Sequence, residues 1–256
     1  MLGCTVGAGQ TVTTLLTGEV LAGLRADQVA VLDLNPGAAS LEQRARSRPA
    51  LSQAASLGAS RLEILGQASA EADGHRGATG ASAPTYGSAP DPADAARAFE
   101  LASTRFPLVL ADPSTSAVPR LLAIADQLVL VAPASAAAAS AIAMTFEWLE
   151  AHGQSALAAE AIMVLNGVSR RTMPHVEQAE RVVAGRCRAI VRVPWDDQLQ
   201  NPTAKRPHPA APGSAAGQRW AGLLSPPTVG AYTALAGVLV AAVADDPAPH
   251  RGQVAR

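Results

Sequence analysis

The run from Gly3 to Thr11 (Gly-Cys-Thr-Val-Gly-Ala-Gly-Gln-Thr) is the first place where residue types and spacing suggest chemistry. Against the pattern G-x-x-x-x-G-K-[ST], Gly9 and Thr11 fit. Cys4 stands at the first glycine, with Gly3 one place early, and Gln10 stands at the lysine. Glycines in such a run let backbone N–H groups wrap a phosphate, and a helix beginning near Thr11 adds its positive end. On this reading Gly7, Ala8, Gly9, Gln10, Thr11 and Val12 form a nucleotide's phosphate cradle. A glycine-rich turn that binds nothing accounts for the same residues. Asp33 and Asp112 each end a short apolar run. In an open parallel sheet the carboxyl ends of the strands form the ligand crevice. Both carboxylates would then converge beside the loop, where a magnesium ion takes carboxylate oxygens directly or through water. The plainer alternative is that the two aspartates cap the helices that follow them.

The elements that must position these groups are legible as alternating patterns. Apolar runs at 28–33, 61–65, 107–112, 127–131, 161–165 and 189–193 are mostly apolar on both faces and bounded by Pro, Asn, Gly or Asp. Strands buried on both sides of a parallel sheet read this way. Helices are predicted over 11–25, 92–104, 118–125, 136–152, 174–185 and, as a buried terminal helix, 228–244. The alternation predicts an α/β fold, a doubly wound, mostly parallel sheet flanked by helices. We expect one domain over 1–246, with flexible insertions at about 66–91 and 200–218 and a disordered tail at 247–256, on composition. Only Met1 and Leu2 precede the glycine-rich run, so the first strand is expected to be missing and to be encoded upstream.

Bulk composition narrows the partners. Of 256 residues 48% are hydrophobic but only 3% aromatic, so Leu, Val, Ile and Ala must build the core. The net charge is −1 and Lys205 is the sole lysine, so no global basic field holds nucleic acid or anionic lipid. Two cysteines are too few for a disulfide scaffold or a zinc site and fit a reducing cytoplasm. No signal-peptide pattern is visible. The 228–244 segment lacks the Lys/Arg face of an interfacial helix, so membrane association is not expected, or is indirect. No sequence-specific nucleic-acid binding is expected. Ser114 lacks a histidine partner motif and reads as a helix start, and Arg170 and Arg171 read as a solvated loop. The stretch Pro194 to Asp197 is either a helix cap beside an anchored Trp or a base-recognition loop.

Taken in order, six blocks resemble the MinD/ParA family of deviant Walker ATPases. They are Gly7 to Thr14, Val31 to Pro36, Leu110 to Ser114, Ala125 to Val131, Val164 to Val168 and Val193 to Asp196. The resemblance runs over nearly the whole chain outside the two insertions. It implies a P-loop NTPase-like fold that holds ATP or ADP with Mg2+, and Thr11 and Asp112 at the metal. It places Asp33 in the first switch, also near the metal, and Asn166 and the loop from Pro194 beside the adenine. It also implies a homodimer closing face to face on ATP, a protein partner, and work in spatial positioning, partitioning or secretion-complex regulation.

The departures from that family set the functional expectation. The family's two loop lysines align with Thr5 and Gln10, and the switch carboxylate that orients attacking water aligns with Asn35, leaving this catalytic position impaired. Losing one charge-assisted hydrogen bond weakens nucleotide binding by roughly ten- to a hundredfold. Losing the water-orienting group removes a further factor of about 10²–10⁴ from hydrolysis, besides the lost clamp on the transferred phosphoryl group. The expected protein is therefore a nucleotide-binding switch with weak or no hydrolysis. An active ATPase with substituted charges and a nucleotide-free scaffold are the alternatives.

Overall fold

The computed structural model describes residues 1–35, 62–65, 91–200 and 224–245. Apart from Asp91 and Gln200, the insertions expected at 66–91 and 200–218 lie outside the described residues, as does the 247–256 tail. The chain divides into two compact units, Met1–Thr13 with Ala125–Arg256, and Thr14–Ile124. The division falls inside the first helix, α1 (Gln10–Leu24).

The first unit carries a four-stranded sheet in the order β1-β5-β6-β7, parallel throughout. Its strands are β1 (Leu2–Gly3), β5 (Val129–Pro133), β6 (Ile162–Val168) and β7 (Ala189–Pro194). The first strand, expected to be missing, is present as two residues. Leu2 and Gly3 pair with Leu130 and Val131, and the amide of Cys4 extends the ladder to Val131 O at 2.8 Å. The central strands are apolar because both faces are covered, and Ile162, Met163, Val164 and Leu165 have no exposed surface. β7 departs from that pattern. It is the last strand in the order, and Val191 and Val193 are buried while Ile190 and Arg192 face outward. Arg192 is held by a forked pair to Glu180, at 2.5 and 2.6 Å.

Among the described residues five helices complete this unit: α4 (Ala138–Ala151), α5 (Ser155–Ala159), α6 (Met173–Val183), α7 (Asp197–Gln200) and α8 (Pro226–Asp245). α8 packs against β7. Its buried residues Thr228, Tyr232, Leu235, Ala236, Leu239 and Ala242 fall on one face by their spacing. Arg188 pairs with both Glu160 and Asp245, fixing the end of this helix. Among the described residues α8 is the one helix long and apolar enough to cross a membrane by length and composition.

The second unit has a three-stranded parallel sheet, β3-β2-β4, made of β2 (Val29–Leu34), β3 (Leu62–Leu65) and β4 (Leu108–Pro113). Alternation along β2 sends Leu32 and Leu34 to one face and Val31 and Asp33 to the other. On the first face α2 (Pro92–Arg105) and α3 (Val118–Leu122) close a core of Leu32, Leu34, Ala95, Ala111, Ala117 and Leu121. α2 begins cleanly, because Asp91 accepts the amide of Ala93 at 2.8 Å and Pro92 supplies a preset φ. On the second face Gly18 of α1 sits so close that a Cβ would lie 2.5 Å from Val31 Cγ2 and 3.2 Å from Leu62 Cδ1. A glycine inside a helix ordinarily costs about 1 kcal/mol relative to alanine; here it lets the helix approach the sheet.

That contact yields a stability prediction. Gly18→Val should lower the unfolding free energy by about 1–3 kcal/mol through overpacking. In urea denaturation, Gly18→Val combined with Val31→Ala should be less unstable than the sum of the two single changes. Strict additivity would show that helix and sheet do not meet at Gly18.

Candidate functional site

In the first unit the glycine-rich loop links β1 to α1, as a phosphate loop requires. Its conformation is fixed from three directions. Within the loop, Ala8 N donates to Thr5 O at 3.2 Å. From the helix, Gln10 folds back, and its Oε1 accepts the amide of Gly3 at 2.7 Å. From β6, Asn166 Nδ2 donates to Ala8 O at 3.2 Å. Gly9 has φ 92°, and a Cβ there would lie 2.1 Å from Asn166 Nδ2. Both the backbone conformation and the approach of Asn166 therefore demand glycine at this position. Gly7, with φ 76°, needs glycine for its conformation alone, and a Cβ on it would meet nothing within 4 Å.

Open space over Gly7 and a fully exposed Val6 leave the loop's apex accessible. Thr13 N begins the helical ladder on Gly9 O at 2.8 Å, and helix geometry leaves Thr11 and Val12 without intrahelical acceptors for their amides. No acidic residue sits in the first turn of α1 to repel an anion. No side chain from Met1 to Gly18 carries a formal charge. The donor set suits a phosphate group, held by main-chain dipoles without a cation from this segment. Cys4 supplies no nucleophile. Burial pushes its thiol up to about 11, only partly offset by a hydrogen bond with Thr145, so it stays protonated at neutral pH.

The far edge of this unit holds the other residues expected near a base. Asn166 and Pro194 lie on neighbouring strands, Asn166 in register with Val193 and Pro194 with Val168. The exposed indole of Trp195 lies over Gly167, where a Cβ would be 3.5 Å from the ring, and its Nε1 donates to Asp197 at 2.9 Å. Asp196, only 8% exposed, caps two segments at once. It accepts Gln198 N at 3.0 Å and Ser225 N at 2.9 Å. Burial alone would raise its pKa. Hydrogen bonds from Ser225, Thr228 and Gln198 outweigh burial and set it below the ordinary 3.8. Of the two readings of the Pro194 to Asp197 stretch, the cap is realised in Asp196, and the exposed ring leaves a base-facing role for Trp195 open.

In the second unit Asp33 and Asp112 occupy matched register positions on β2 and β4, near their carboxyl ends, and both are buried. Adjacent strands are about 4.8 Å apart, so the two side chains start side by side on the face of the sheet that α1 covers. Such a pair suits a hard divalent cation that keeps several waters. Asp33 also accepts the amide of Asn35 at 3.3 Å, an Asx turn that the capping alternative predicts. Asn35 itself is half-buried beyond the strand. Ser114 N extends the ladder to Leu34 O, and Ser114 shares a hydroxyl contact with Ser116. Among the described residues no group of three or more His, Cys, Asp or Glu is placed to hold a metal. Thr11, the other expected metal contact, belongs to the first unit.

Sequence reasoning found Gly9 and Asn166 but not their contact, which joins positions 158 residues apart. It read Gln10 as a lost lysine and missed its acceptor role. The polar side chain seven positions from Gly3 was the available signal.

Two predictions follow from this geometry. Gly9→Ala should destabilise by more than about 2 kcal/mol, from the left-handed backbone and the Asn166 clash together. Adding Asn166→Ala should recover only the steric part in thermal melts, and full recovery would mean that φ at residue 9 is unstrained. Asp196→Ala should cost about 1.5–3 kcal/mol at neutral pH through its lost charge-assisted bonds. Because the folded pKa is lowered, the ionised carboxylate's contribution is present above pH 3.8 and fades as pH falls below it. Wild type and variant should therefore converge in acid, and a gap unchanged down to pH 2 would contradict this.

No family model matches the chain. It is 30% identical over 222 residues to the "ESX-1 secretion-associated protein EspI" of Mycobacterium tuberculosis, in strains CDC 1551 and H37Rv. That match covers 78% of this chain and 32% of the relative, so the chain spans about a third of the length of the curated relatives it matches. Among solved structures, it resembles a ParA family ATPase from Chlorobium tepidum TLS with a TM-score of 0.57 at 11% identity, over 92% of this chain and 96% of that one. At that identity the likeness concerns architecture: the chain has a ParA-like P-loop fold, α/β with mostly parallel sheets flanked by helices.

Proposed function

We propose that the chain is a ParA-like nucleotide-binding switch with a degenerate phosphate loop, weak or inactive in ATP hydrolysis, that serves a secretion complex. The observation that carries this reading is a strand–loop–helix turn built for an anion yet holding no charge. Gly7 and Gly9 keep the left-handed geometry, Asn166 braces Ala8, and the amides of Thr11 and Val12 have no acceptor within the helix. ATP or ADP would rest on Gly7 to Val12, with Asn166 and Pro194 toward the base. By the family resemblance, Asp33, Asp112 and Thr11 are the residues that would hold Mg2+, an ion that neutralises phosphate charge.

Weak hydrolysis follows from side-chain chemistry. Gln10 is neutral, and Asn35 cannot take a proton from water, so neither stabilises the charge that develops in phosphoryl transfer. A switch that binds and releases nucleotide still works by changing which partner it holds. We propose a homodimer and a protein partner in the cytoplasm, with secretion favoured over partitioning because the curated relatives are secretion-associated. The two free cysteines are compatible with a reducing compartment. A nucleotide-free scaffold is the second reading, favoured by the Gln10 side chain folding onto the loop's own Gly3 amide.

Calorimetric titration of the full chain with MgATP and MgADP separates these readings. The switch predicts saturable 1:1 binding that Asp112→Ala weakens, with phosphate release at least a hundredfold below an ordinary ATPase turnover of about 1 s⁻¹. Absence of heat and of binding up to millimolar nucleotide would favour the scaffold. Ordinary turnover, abolished by Asp112→Ala, would contradict the impaired-hydrolysis claim.

A further inference from the structure

We infer that Gln10 makes this phosphate loop nearly blind to the difference between nucleoside diphosphate and triphosphate, so that the site reads occupancy rather than the state of the γ-phosphate. The inference rests on the proposed nucleotide site and concerns its ligand selectivity.

Gln10 does two things that a lysine at that position could not combine. Its Oε1 accepts the Gly3 amide at 2.7 Å, tying the first turn of α1 to the end of β1. An ammonium has three donors and no acceptor, so it would leave that amide facing another donor. The fit around this bond is close. A Cβ on Gly3 would lie 3.2 Å from Gln10 Oε1, 3.3 Å from Thr5 O and 3.5 Å from Ala8 Cβ. The carboxamide is thus part of the loop's internal packing, and loop shape is set before any ligand arrives.

Gln10 also brings no charge. Within the first unit's loop the anion meets main-chain N–H groups and the helix dipole, an effective half charge that falls off within the first turn. These donors are fixed near the loop and serve the phosphate that sits in it. No side chain from Met1 to Gly18 carries a formal charge that could reach onward to a terminal phosphate. An extra phosphoryl group therefore adds charge to the ligand without adding a cationic contact from this segment.

The test compares MgATP and MgADP affinities, by calorimetry, for the full-length wild type, Gln10→Lys and Gln10→Glu. The wild type should bind both within about threefold. Gln10→Lys should raise the ATP-to-ADP affinity ratio to tenfold or more, the size of one added charge-assisted contact. Gln10→Glu keeps an acceptor for Gly3, should keep the wild-type melting temperature, and should weaken both nucleotides at least tenfold. A wild type that prefers ATP by tenfold or more overturns the inference while leaving the nucleotide site standing. So does a Gln10→Glu variant that folds and binds as before, which would put the carboxamide away from the phosphates. Failure of the wild type to bind either nucleotide overturns the inference and the proposed site together.

Discussion

Asn166 pressing on the backbone of Ala8 and Gly9 is the constraint that the candidate site depends on. The loop follows β1, and Asn166 belongs to β6, with β5 between them in the sheet. Two strand spacings are about 9.6 Å, a span that the loop and the Asn166 side chain close between them with a 3.2 Å hydrogen bond to Ala8 O. A chain can do so there only if residue 9 has no side chain and accepts a positive φ, and Gly9 meets both conditions. The Gln10–Gly3 bond then closes the loop from the other end. The turn is held by its own hydrogen bonds.

The electrostatics of the two units differ in kind. The loop offers an anion only neutral donors, which favour binding without discriminating strongly among anions. The Asp33 and Asp112 pair concentrates negative charge in a buried place, at adjacent register positions. Desolvating one carboxylate is costly, and placing two side by side adds mutual repulsion.

Much of the architecture was legible in the sequence. The doubly buried strands announce themselves as short apolar runs, and β2 to β7 were each located to within two or three residues. Helices of eleven residues or more were found from their length and flanking signals. What escaped was short or long-range. β1 is two residues, too few to show a period, and exists because β5 offers it a ladder. α5 and α7 span five and four residues and lack an apolar stripe. The Asn166 contact and the bracket that Asp196 forms with Ser225 join residues far apart in the chain, and local patterns do not encode such pairings. The alternation of β7 between buried and outward residues was present in Arg192, but a strand's place in the sheet order comes only from topology.

The central claim is that the main chain from Val6 to Val12 holds phosphate without a charged side chain. Amide chemical shifts of the 15N-labelled full chain, followed through a titration with MgADP, test it most directly. The account predicts that the largest shifts fall on Gly7, Gly9, Gln10 and Thr11, moving together along one saturable curve. If those amides stay fixed while nucleotide binds elsewhere, or while none binds at all, the loop is a structural turn and the account is wrong.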